Sequence, residues 1–144
     1  MYEILLKEAH EERIEVVYRP MRKKIKGLYY NNVIAINKGI DSTAEKSCIL
    51  AEELGHYHTS SGNLLDQKKL TNRKQERRAR VWAYKKLVPL TKIVQAYKNG
   101  IQTRYELAEH LQVTESFLLA AIKYYKEKHG ICCRVGKYWV YFEP

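Results

Sequence analysis

Residues 41–60, DSTAEKSCILAEELGHYHTS, decide how this chain folds, because one continuous run holds a helix start, a helical face and metal-type ligands. Ser42 followed by Glu45 fits a capping box, in which hydroxyl and carboxylate each satisfy an orphan backbone N–H at a helix N-terminus. In the helix this starts, Glu52 and His56 stand four apart and share a face, with Glu53 beside them. That spacing lets two ligands reach one ion while a third group polarises water. Gly55 costs roughly 1 kcal/mol relative to alanine in a helix, which points to a backbone or bound group approaching closely there, although packing alone explains it too.

The form Glu-Glu-X-X-His is one residue away from His-Glu-X-X-His, in which two imidazoles bind zinc and the glutamate between them acts as general base. Glu52 stands where the first histidine would, and a carboxylate also ligates zinc. The same residue types occur together on solvated helix faces, so these positions alone leave both a metal site and an exposed polar face open.

Upstream, Ile4, Leu5, Ala9 and Ile14 recur near helical spacing and predict a short amphipathic helix over residues 2–13, a lid or brace. Residues 14–18 alternate as a strand before Pro20, and GLYYNNVIAI (27–36) reads as two strands around Asn31 and Asn32, residues that tolerate a tight hairpin. Downstream, residues 60–66 read as a loop, and a helix from about Thr71 to Val88 closes at Pro89. On it Glu76, Ala79, Ala83 and Leu87 recur at three and four, a face of small residues that lets another helix come close. Glu76 on that face is either an ion-pair partner of the surrounding arginines or a third ligand.

Here AEELGHYH followed by ERRARVWAYKKLVPL resembles the ImmA/IrrE-type metallopeptidases, found in phages, integrative elements and bacterial stress systems. Their pattern is a His-Glu-X-X-His helix, then Glu-X-X-Ala, a second alanine one turn later, and a leucine shortly before a proline. Glu76, Ala79, Ala83, Leu87 and Pro89 fit the second part in type and spacing, and the resemblance covers most of the chain. It implies that Glu53 is the general base and that His56 and Glu76 are metal ligands, with Glu52 as the departure. Two carboxylates and one imidazole make a divalent ion a poorer Lewis acid and predict slower hydrolysis. The resemblance implies zinc, while the harder, oxygen-rich set moves preference toward manganese or another oxygen-favouring ion. His58, two residues after His56, lies on a different side of an ideal helix and reads as a surface residue or a support for the ligands.

The 144 residues suffice for one compact domain, or a small domain plus an appendage, with a real core. Cys48, Cys132 and Cys133 form an odd, unpatterned set, which argues for a reducing cytosol and against a structural zinc knuckle. Neither a signal-peptide layout nor a membrane-span run stands in the sequence. The formal net charge of +10 gathers in two clusters, Arg19, Arg22, Lys23, Lys24 and Lys26, and then Lys68, Lys69, Arg73, Lys74, Arg77, Arg78 and Arg80. Such runs attract phosphate backbones or acidic protein surfaces, and equally serve as solvated faces.

In the last third, YELAEHL, QVT and ESFLLAAIKYYKEKHG read as helix, short turn, helix, with Leu107, Ala108, Leu111, Val113, Phe117, Leu118, Ala121 and Ile122 inward and Thr114 as cap. ICCRVGKYWVYF (131–142) reads as a hairpin turning near Gly136. Together these resemble a helix-turn-helix unit that follows the catalytic part in the family. Lys123, Lys126, Lys128, Arg134 and Lys137 offer DNA contacts, but Glu115, Ser116 and Phe117 at the start of the second helix are poor readers of base edges, which favours docking of a protein partner.

The expectation is an α+β cytoplasmic protein with a small antiparallel sheet packed on a zincin-like metal helix and a C-terminal helix-turn-helix-like extension and β-hairpin. Residues 1–92 form the metallopeptidase-like domain and residues 93–144 the extension. The implied activity is cleavage of a protein substrate, a repressor of a phage or mobile element. A pseudopeptidase acting as an antirepressor by binding, and a DNA-binding regulator, are the alternatives.

Overall fold

The computed structural model describes residues 1–60 and 69–142, with the side chains of 69–72 excepted. The chain divides into two compact units, Met1–Ala83 and Tyr84–Pro144. The expected loop at residues 60–66 lies, beyond Ser60, outside the described residues, as does Lys68 of the second basic cluster.

The first unit opens with α1 (Tyr2–Glu11), whose Leu5 and Ala9 are buried one turn apart. Ile4, expected inside, is instead 55% exposed, because it stands one position off that row. The helix stops where Arg13 takes a left-handed backbone (φ 60), with Ile14 N–H donating to Ala9 C=O and Arg13 N–H to His10 C=O. This closure satisfies the last carbonyls and turns the chain into a strand.

Three strands follow, β1 (Glu15–Arg19), β2 (Gly27–Tyr30) and β3 (Val33–Asn37), in the order β1-β3-β2. Asn31 and Asn32, with φ of 47 and 63, make the tight turn between β2 and β3, as their chemistry predicts. The sheet is not antiparallel throughout. β1 runs parallel to β3, Tyr18 opposite Ile36, while β2 runs antiparallel, Leu28 opposite Ala35. The reason is the segment 20–26, which arches over the end of β3 and delivers the chain to the far edge. Asn37 holds that arch. It is 6% exposed, and its Nδ2 donates to the carbonyls of Met21, Arg22 and Ile25 at 3.2, 3.1 and 2.8 Å.

Against this sheet packs α2 (Thr43–Thr59). Ser42 caps it, its hydroxyl accepting from Glu45 N–H at 3.2 Å, and the Glu45 carboxylate reaches Lys26 Nζ at 3.2 Å. Ile34 and Ile36 of β3 and Leu50, Ala51 and Leu54 of α2 are fully buried. The next helix, α3 (Lys69–Leu87), starts and stops slightly before the expected bounds. Its buried row is Gln75, Ala79, Ala83 and Leu87, an uninterrupted spacing of four.

In the second unit, α4 (Leu90–Lys98), α5 (Arg104–Leu111) and α6 (Glu115–His129) precede a hairpin of β4 (Cys132–Val135) and β5 (Tyr138–Tyr141). Thr114 caps α6 by accepting from Phe117 N–H at 3.2 Å, as expected. Gly136, at φ 61, turns the hairpin. Ala108, Leu111, Val113, Phe117, Leu118 and Ala121 are buried. A second cluster forms around Tyr125, Val140 and Phe142. Among the described residues no helix is long and apolar enough to cross a membrane.

Candidate functional site

The site is built by how α2 meets α3. A Cβ placed on Gly55 would lie 3.0 Å from both the Cα and the carbonyl carbon of Ala79, too close for real side chains. Only glycine at that point lets the two helix backbones touch, and the fully buried Ala79 and Ala83 supply the small opposing face. His56 follows Gly55 and Glu76 precedes Ala79 by three positions, so the crossing brings these two side chains together.

His56 Nε2 stands 3.2 Å from Glu76 Oε1, with the histidine side chain 15% and the glutamate 54% exposed. Their titrations shift oppositely, as a charged pair requires. The hydrogen bond to Glu76 raises His56 against the opposing effect of burial. The same bond lowers Glu76. The pair is half open to water, so its worth to stability is small.

Glu53 is in a different environment. Burial first, then the neighbouring Glu52 and Glu76, push its carboxyl up to about 7, with His56 pulling the other way. Its position depends on Gly27 at the start of β2, where a Cβ would meet Ile49 Cγ2 at 2.6 Å and Glu53 Cγ at 3.3 Å. In the sequence Gly27 opens a strand, and a glycine in a strand is itself a signal of such close approach.

Glu52 is also raised, chiefly by burial, and Arg80 is the strongest influence in the opposite direction. Arg80, read from the sequence as part of a basic run, thus faces the carboxylates of Glu52 and Glu76. His58 is exposed and stacks on Trp82, ring centroids 4.7 Å apart and 18° between planes. Since α2 continues to Thr59, His58 stays away from the ligand face. Tyr57 donates its hydroxyl proton to Glu12 Oε2 at 2.8 Å and packs edge-on with Tyr29.

Of the four residues expected at the centre, the fold brings His56 and Glu76 into direct contact and places Glu53 and Glu52 within their electrostatic reach. Among the described residues no three of His, Cys, Asp or Glu gather closely enough to hold an ion together. The donor chemistry still suits a divalent cation. Three carboxylates act electrostatically with one imidazole, two of them also with a guanidinium, and burial leaves two of them reluctant to ionise, a surplus of acid that a cation would offset.

The Glu-Glu-X-X-His helix is thus paired with a glutamate from a second helix and set against a small sheet. Residues 9–123 match the family Peptidase_M78, the IrrE N-terminal-like domain, and the chain belongs to that family. No curated protein and no solved structure matches the chain.

Proposed function

We propose that the protein is a metal-dependent endopeptidase that cleaves one specific regulator, a helix-turn-helix repressor of a phage or mobile element. The observation that carries this reading is the meeting of His56 and Glu76 across the Gly55–Ala79 crossing, with Glu53 half-buried beside them. His56 and Glu76 would hold the ion, with Glu52 as the third donor. When bound there, zinc, or manganese given the oxygen-rich set, supplies Lewis-acid polarisation of a carbonyl. Glu53 takes the proton of the attacking water and returns it to the leaving amine. A carboxyl whose own environment disfavours its charge is well matched to that shuttle near neutral pH. Arg80 limits the mutual repulsion of Glu52 and Glu76. The unit built of α5, the turn and α6 is read as a helix-turn-helix-like module that docks protein in preference to DNA.

The departure at Glu52, where the motif has a histidine, favours a second reading, a pseudopeptidase that relieves repression by binding alone. One experiment separates the two. Elemental analysis of untagged wild type, His56→Ala and Glu52→Ala is combined with cleavage of the repressor encoded nearest the gene, by wild type and by Glu53→Gln. Near-stoichiometric zinc or manganese lost in both ligand variants, with cleavage abolished by Glu53→Gln, supports the endopeptidase. A wild-type protein that neither carries nor takes up metal, yet binds the repressor intact, establishes the pseudopeptidase.

A further inference from the structure

The unit Tyr84–Pro144 holds a groove of about 740 Å³ that the metal chemistry does not use. Residues 138–142 line it consecutively. Successive strand residues face opposite sides, so a groove touched by all of them runs along the edge of β5 and not over one face. That edge is the free one, because β5 pairs with β4 alone among the described strands. Alternate N–H and C=O groups on it point away from β4. The groove's apolar lining from α4 and α6 includes Ile93, Val94 and Ile122, which also pack on the cluster of Tyr125, Val140 and Phe142. The rim carries rings that water does not favour: Tyr97 is 76%, Trp139 58% and Tyr141 67% exposed.

The charged side chains among the lining residues are Lys98 and Arg104, both cations and both exposed. Lys98 Nζ sits 4.2 Å from the centroid of the Tyr138 ring, with Lys137 on the same ring at 5.7 Å. Free strand edge, apolar wall, aromatic rim and cationic end each exclude something. A second copy of this chain would bring the same cations against each other, on a protein already at +10. Nucleic acid would find two cations along the groove and an aliphatic wall where phosphates need charge.

We propose that this groove docks an extended segment of the regulator in which large apolar side chains alternate with acidic ones, added as a third strand to β5. Main-chain bonds to the strand edge supply affinity, the apolar wall takes every second side chain, and Lys98 and Arg104 take the carboxylates. The proposal rests on the endopeptidase reading only in naming a protein regulator as the partner.

The test is fluorescence anisotropy with the full chain and labelled synthetic peptides. One peptide alternates leucine or phenylalanine with glutamate, a second replaces glutamate with lysine, and oligothymidylate serves as the third probe. Wild type is expected to bind the acidic peptide. The double variant Lys98→Glu/Arg104→Glu should weaken it about tenfold and gain binding of the lysine peptide, and Trp139→Ser should weaken both. All three positions are exposed, and circular dichroism verifies that the variants keep their fold. Acidic-peptide binding that ignores these variants, no binding at all, or tighter binding of oligothymidylate overturns the proposal. The readout needs neither metal nor hydrolysis. Peptide docking without cleavage of any regulator leaves the groove standing and removes the endopeptidase, whereas full-rate cleavage by Lys98→Glu/Arg104→Glu does the reverse.

Discussion

In the unit Met1–Ala83 the half-buried acids Glu52 and Glu53 are held where burial works against their charge, and the buried Ser47 Oγ has no hydrogen-bond partner among the described residues. In the unit Tyr84–Pro144 the buried hydroxyl of Tyr125 donates to Val88 C=O at 2.8 Å, the charges stay outside, and the uncomfortable groups are aromatic rings left in water. Both units leave large apolar groups outside, Leu28 and Tyr30 in the first and Trp139 and Tyr141 in the second, but the first also keeps acids half-buried and a hydroxyl unpaired inside. The acids of the first unit and the rings of the second fall where function is proposed, at a reaction centre and at a docking edge.

The sequence holds two tryptophans, Trp82 in the first unit and Trp139 in the second, so each unit has its own fluorescent reporter. Gly55→Ala should have the largest effect. Its methyl group meets the Ala79 backbone, which has no rotamer to change, so a loss of about 4 kcal/mol is expected in denaturant melts followed through Trp82 in a Trp139→Phe background. A loss below about 1 kcal/mol would mean the two helices separate freely. Next comes Glu53→Gln in chelator-treated protein. A carboxyl raised from 4.5 to about 7 on folding binds its proton more tightly in the native state, so stability is full below pH 4.5 and declines as pH rises to about 7. The glutamine variant should lack that decline and gain about 2 kcal/mol above pH 7; an unchanged pH profile would remove the buried acid from the account.

Tyr125→Phe tests the other side of the comparison, leaving Val88 C=O unpaired in the core at a cost of about 1–2 kcal/mol, seen through the Trp139 reporter. Burial pushes the Tyr125 phenol up to about 12. Its contribution is therefore whole below the unfolded value of 10.0 and is lost as pH climbs to about 12, a loss the phenylalanine variant should not show. The smallest effect is a gain. Ser47→Ala removes an unpaired buried hydroxyl and should stabilise the first unit by about 0.5–1 kcal/mol; destabilisation would reveal a partner for Ser47.

Local chemistry explains which of these features the sequence already announced. Ser42 and Thr114 cap as written, Asn31-Asn32 turns the hairpin, and Gly55 marks a close approach, because each depends on residues within one helical turn or on one backbone need. The sheet's mixed direction was hidden, since the partner of β1 is chosen by an arch whose anchor, Asn37, stands at the far end of β3, well along the chain from β1. The α3 face was read one residue off. Glu76 was placed in the row that Gln75 occupies, because spacings of three and four are both helical, and only the crossing decides that Gln75 is inside and Glu76 at the border. In the site, the spacing of Glu52, Glu53 and His56 was visible, but the roles of Gly27 and Arg80 come from other elements. The groove could not be seen at all, being assembled from α4, α5, α6 and β5.

The arch over β3 has a consequence for proteolysis. Arg22, Lys23, Lys24 and Lys26 put four trypsin-type positions in one short exposed segment, yet a protease must draw such a segment out into its cleft before cutting. Three carbonyls of that segment are tied to a single side-chain amide. Nicking there therefore reports the release of Asn37, and the most basic loop of the first unit is shielded by one buried asparagine.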